Sequence, residues 1–110
     1  MSRNALKPQW FHILLALAGE DRHGYGIMTE VLSRTGGTMK LWPGVLYGSL
    51  RRMVDAGLIR EVVNPSEAPP DDNKERRYYR ITARGRRALT EEAERMAQYV
   101  AIARERSVIT

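Results

Sequence analysis

No cysteine occurs among the 110 residues, which excludes disulfides, thiolate metal sites and a cysteine nucleophile. That absence fits a reducing compartment, and the cytoplasm is the expected location. Histidine occurs only twice, at His12 and His23, too few to suggest a metal site. Neither they nor Ser33, Ser49 and Ser66 are spaced as a catalytic triad, so no enzyme, metal or cofactor is expected. Long apolar runs are missing too. The longest, Trp10 to Ala18, is broken by His12 and reaches about half of the ~20 residues a spanning helix needs. No small-residue cleavage site follows it, which argues against a signal peptide. Lysine is scarce: arginine supplies 15 of the 18 basic residues.

The chain is sized for one small domain, and 43% hydrophobic residues exclude a wholly disordered one. A core this small gains from self-association. Thirteen acids against 18 bases leave a net charge of +5. Arginine's planar, permanently charged fork suits phosphates and base edges.

Hydrophobic spacing sets the element order. Pro8 fits a first helical turn, and the apolar run that follows, stopped by Gly19, predicts a helix buried on most sides. Glu20 to Gly24 reads as a polar turn. A second helix is expected from Gly24 to Thr35, with Ile27, Val31 and Leu32 inward, Glu30 paired with Arg34, and Gly36-Gly37 as the stop. Met39-Lys40-Leu41 is too short for more than a turn or a stub of strand. A third helix should run from Pro43 to Ala56 and stop at Gly57, with Val45, Leu46, Leu50, Met53 and Val54 as its apolar positions.

The period then changes to two. Leu58 to Val63 and Arg76 to Ile81 predict two strands of a hairpin, joined by a Pro-rich loop over Asn64 to Glu75. Tyr78 and Tyr79 alternate, so one should face the core and the other solvent. Thr82 can cap a last helix. Along it Leu89, Ala93, Met96, Val100 and Ala103 repeat as a heptad seam.

Three helices, a hairpin and a long helix make a mainly α chain with a small β-hairpin. That is the layout of a winged helix-turn-helix, whose third helix enters the major groove while the hairpin, the wing, touches backbone or minor groove. The division expected is 1–81 for the DNA-binding domain and 82–110 for a dimerisation helix. Arginines gather where this layout needs them. Arg76, Arg77, Arg80, Arg84, Arg86 and Arg87 fall within twelve residues that hold no acid. Arg51 and Arg52 sit midway along the third helix, with Lys40 before it and Lys74 near the hairpin tip. Any of these could neutralise phosphates. For Arg51 and Arg52 the alternative is a solvated face paired with Asp55. Cations in a first helical turn oppose the helix dipole, so Arg84 to Arg87 need a separate reason to stand there, and phosphate is a candidate. Tyr47 either contacts DNA or packs under the hairpin. Trp10 either packs in a subunit interface or lines a small cavity.

Three motifs stand in order: His23-Gly24-Tyr25-Gly26-Ile27; Pro43-Gly44-Val45-Leu46-Tyr47 with Leu50-Arg51-Arg52-Met53 and Gly57-Leu58-Ile59; and Arg77-Tyr78-Tyr79-Arg80-Ile81-Thr82-Ala83-Arg84-Gly85-Arg86-Arg87-Ala88-Leu89. Together they resemble the PadR family of bacterial transcriptional regulators, usually repressors, across roughly residues 10 to 100. The resemblance implies a homodimer that binds a duplex operator, pseudo-palindromic by symmetry, and in many members a response to a small aromatic or drug-like effector. By position it implies DNA contacts at Tyr25, Pro43, Gly44, Tyr47, Arg51, Lys74 and Arg76, to which the basic layout adds Lys40 and Arg77. It also implies a dimer interface along the last helix, to which the apolar first helix is expected to add Trp10 and Leu14. Two positions depart from the family's usual pattern. Trp42 stands where Ser or Thr often precedes Pro-Gly, and Val45 where Thr often follows. Both changes remove a hydroxyl from the start of the third helix, and they motivate an alternative: a protein-interaction module that no longer grips DNA specifically.

Overall fold

The computed structural model describes residues 6–63 and 77–110. Its elements are α1 (Pro8–Gly19), β1 (Arg22–His23), α2 (Gly24–Arg34), α3 (Pro43–Asp55), β2 (Ile59–Val62), β3 (Tyr78–Ile81) and α4 (Ala83–Glu105). The boundaries follow local chemistry. Pro8 and Pro43 open α1 and α3, where a missing N–H costs nothing. Gly57, at φ +79°, ends the α3 turn in a conformation that side chains resist. Thr82 accepts the Gly85 N–H at 3.0 Å and caps α4.

The sheet has three strands rather than the two of a simple hairpin. Its order is β1-β3-β2, antiparallel throughout. The segment expected as a polar turn supplies β1, which pairs Arg22 with Tyr79 and His23 with Tyr78. β3 is therefore central, and this corrects the expectation for its tyrosines. Both are buried. Tyr79 joins the main core, while the Tyr78 ring meets the His23 ring edge-on at 5.2 Å. Alternation predicts one exposed residue only when one face of a sheet is bare.

The core gathers Ile13, Leu14 and Leu17 of α1, Ile27 and Val31 of α2, Leu46, Leu50 and Met53 of α3, Ile59 of β2 and Leu89 of α4. Helix α1 is wrapped by α2, β3 and α4. Leu14 and Leu89, expected at a subunit interface, are thus already covered inside the single chain. Trp10 is half-buried against the core, with the Lys7 ammonium 5.6 Å from its ring. Beyond Glu92, helix α4 leaves the body. Met96 is 39% exposed and Val100 40%, and Tyr99 and Ile102 are also uncovered. Ala93 is exposed and Ala103 half-buried. Among the described residues no helix is long and apolar enough to cross a membrane.

Two arginines of the basic cluster, Arg80 and Arg86, have a structural employment that their spacing conceals. Helix α1 ends at Gly19, leaving its last carbonyls unpaired and its negative pole exposed. Arg22 Nε donates to the Ala16 carbonyl at 3.0 Å, and Arg86 reaches the Ala18 carbonyl at 3.4 Å. Arg80 grips Asp21 with two nitrogens, at 3.1 and 2.7 Å. Arg86 in the first turn of α4 thus serves the end of another helix.

His12 lies half-buried on α1. Arg34 donates to its Nδ1 at 3.1 Å and to Glu30 at 2.8 Å, the i,i+4 pair expected from sequence. Burial, and then the Arg34 charge, hold the imidazole below its ordinary pKa. The unfolded chain takes up this proton near pH ~6.5, and the folded chain only at lower pH. Between those values the unfolded state binds more protons, so stability falls as pH falls. The melting temperature is expected to drop as pH is lowered through the range just below ~6.5. His12→Gln should flatten that slope. An identical slope in the variant would show that other groups carry it.

Candidate nucleic-acid interface

Helix α3 turns Leu46, Ser49, Leu50 and Met53 inward, which leaves Gly44, Val45, Tyr47, Arg51 and Arg52 exposed along its outer side. The two glycines keep that side low. A Cβ at Gly44 would meet nothing within 4 Å, and one at Gly48 only the tip of the Arg52 side chain at 3.7 Å. A second molecule can therefore approach the α3 backbone closely. Among the described residues neither Arg51 nor Arg52 forms an ion pair, so the alternative pairing with Asp55 is not the arrangement found.

Between α3 and the sheet lies a cleft of about 560 Å³. Leu50, Val54 and Tyr79 line it from the core side, and Tyr25, Tyr47, Arg51 and Arg77 from the exposed side. The start of α2 positions its far wall. His23 caps that helix by accepting the Gly26 N–H on Nδ1 at 3.0 Å, and its ring stacks 6.5 Å from that of Tyr25. Gly24 explains the first glycine of the His-Gly-Tyr-Gly motif. A Cβ there would collide with the Tyr47 ring, 2.8 Å from Cζ. Of the two readings of Tyr47, packing takes a different form from the one expected: its ring lies over the start of α2 rather than under the hairpin, and it lines the cleft while remaining half exposed.

The electrostatics of the cleft are uneven. Arg77 pairs with Glu61 at 3.3 Å. Burial, followed by the Glu61 charge, raises the Tyr79 hydroxyl above its ordinary pKa, so it remains a hydrogen-bond donor. Arg51 and the Tyr47 hydroxyl are two further donors at the rim. Such a set suits acceptor oxygens, including those of phosphate.

Of the nine residues expected at a DNA interface, the structure brings Tyr25, Tyr47, Arg51 and Arg77 together around this cleft. Pro43 and Gly44 open α3 beside it. Lys40 lies just before, its ammonium 4.6 Å from the centre of the Trp42 ring. Lys74 and Arg76 lie outside the described residues. Sequence reasoning missed the lining roles of His23, Tyr79 and Glu61. His23 is an unusual cap residue, and the other two enter only through strand pairing.

Three packed helices, a three-stranded sheet and a basic, exposed third helix beside the wing define a winged-helix fold of the DNA-binding class. A family model described as "Transcriptional regulator PadR-like family" matches residues 13–91, and the chain belongs to that family. It is similar to the transcriptional regulator Rv3488 of Mycobacterium tuberculosis, 41% identical over 81 residues, which cover 74% of this chain and 68% of that protein. The structure of a PadR-like regulator from Bacillus cereus shares the fold with a TM-score of 0.71 and 24% identity, covering 87% of each chain. That of a PadR family regulator from Clostridium difficile gives 0.71 at 21% identity, covering 90% of this chain and 97% of that one. Family and fold are those of transcriptional regulators, not enzymes.

Proposed function

We propose that this regulator binds duplex DNA as a homodimer, places α3 in the major groove and acts as a repressor at a pseudo-palindromic operator. The observation that carries the reading is the outer side of α3, where Arg51 and Arg52 stand exposed without an ion pair among the described residues and the glycines clear the approach. The division follows the same logic: residues up to 81 hold α3 and the wing, and α4 presents Ala93, Met96, Val100 and Ala103 to a second chain. Two-fold symmetry would set the half-sites about one helical turn apart.

Selection from a random duplex pool at near-physiological salt tests this. A recovered palindrome supports it. Equal retention of all sequences, vanishing as salt rises, leaves only nonspecific attraction and overturns it. Arg51→Ala should cost about 1–3 kcal/mol of affinity and relax the preference at one base pair. A uniform loss over all sequences would instead make Arg51 a phosphate clamp.

A small planar aromatic effector completes the reading. The cleft suits one in size, with an apolar base and tyrosines around it, and its occupant would sit on the DNA-facing side itself. Release of labelled duplex on titration with planar aromatic compounds would support this, and no release across a broad panel would remove the effector. One observation favours a second reading, a protein partner at the head of α3: Trp42 is 61% exposed and Val45 48%.

A further inference from the structure

The head of α3 carries an apolar patch in a basic setting. Trp42 is the residue before the helix, and it makes no capping hydrogen bond. Its indole is therefore not spent on closing the helix end. It stands in solvent with one face covered by the Lys40 ammonium, a contact that limits where the ring can lie. Val45 is exposed one turn on, and the intervening Gly44 has no side chain to screen either. Lys40 stands beside them, and Arg51 and Arg52 lie exposed about two turns further along α3, none of the three forming an ion pair among the described residues. An apolar patch at the head of a helix whose cations are unpaired complements a polyanion that carries apolar groups in its groove. Thymine supplies such a group: its 5-methyl is the apolar feature of the major groove, and apolar side chains read it by contact.

We infer that Trp42 and Val45 are specificity-determining residues that read thymine 5-methyl groups at the head of α3. The inference rests on the DNA reading proposed above and goes beyond it, because the hydroxyls expected at these positions would favour phosphates or polar base edges. Cations draw the duplex in, and the indole and isopropyl groups then favour half-sites with thymine under the start of the helix. The Lys40 ammonium, held over the ring, is left beside the phosphates that flank that base.

The test uses the duplex recovered by selection with the full chain. Each thymine is replaced singly by deoxyuridine, which deletes only the methyl. The wild-type chain should lose about fourfold in affinity at one or two positions per half-site, the worth of one buried methyl. Trp42→Ser should bind more weakly and lose that sensitivity at the same positions. Its melting temperature should not fall, because the Trp42 side chain is exposed and serine can cap the helix. A selected duplex indifferent to every uracil overturns the inference while leaving the DNA reading intact. Equal uracil sensitivity in Trp42→Ser, with full affinity, overturns it too and hands the patch to a protein partner. Failure of the wild-type chain to select any duplex removes the DNA reading, and this inference with it.

Discussion

Gly85→Ala is expected to lower the melting temperature by about 12 °C or more, a loss of about 3 kcal/mol for a domain of this size. Alanine in a helix is normally worth about 1 kcal/mol over glycine, so helix propensity alone has the opposite sign. Packing decides. A Cβ at position 85 would overlap the Leu58 carbonyl oxygen and stand 3.0 Å from the Leu58 carbonyl carbon and from Ile81 Cγ1. Two of these three neighbours are backbone, which cannot rotate away. The first turn of α4 would have to lift, and two bonds depend on it: Gly85 N–H to Thr82 Oγ1 at 3.0 Å, and Thr82 N–H to the Leu58 carbonyl at 3.1 Å. Thermal melting followed by circular dichroism checks this. A drop of only a few degrees would show that α4 can shift without breaking its seat on Leu58.

Met96→Glu should split the proposed homodimer while leaving the single chain folded. Met96 lies on the uncovered half of α4, so in one isolated chain the new carboxylate would meet water. In a two-fold interface it would be buried twice. At about 2 kcal/mol for each copy, the dissociation constant should rise by about 10³-fold. Sedimentation at micromolar concentration should show monomers with unchanged helix content. Operator affinity should fall in step, since two half-sites would no longer be bound by one particle. Val100→Glu is expected to behave alike. Retained dimer mass in both variants would place the interface elsewhere, for instance around Trp10.

Much of the fold was legible in the sequence because its boundaries are chemical. Pro8, Pro43, Gly57 and Thr82 act within one turn of the chain, and local rules describe them well. The strand β1 was not legible. Two polar residues have no period, and Arg22 and His23 become a strand only because Tyr79 and Tyr78 lie beside them. The same pairing hid the burial of both tyrosines. The arginines in and around β3 were legible as a charge cluster but not as individuals. Nothing in their spacing says that Arg86 turns back to the end of α1 and Arg80 to Asp21 just beyond it, while Arg77 faces the cleft. The site was legible at Tyr47 and Arg51, which follow from helical spacing. Its other walls come from three elements that meet only in the folded chain.

The short strand β1 also fixes a distance. It joins the inner edge of the wing to the residue that caps α2, and Gly24, next in the chain, lies under Tyr47 of α3. The base of the wing and the third helix are thereby set as a calliper before any duplex arrives. A rigid calliper spends no ordering entropy on binding, but it cannot adjust to the object it measures. A duplex gripped by it must supply the matching width, and sequences differ in how cheaply they deform. Part of the preference of this regulator should therefore lie at base pairs that no side chain touches.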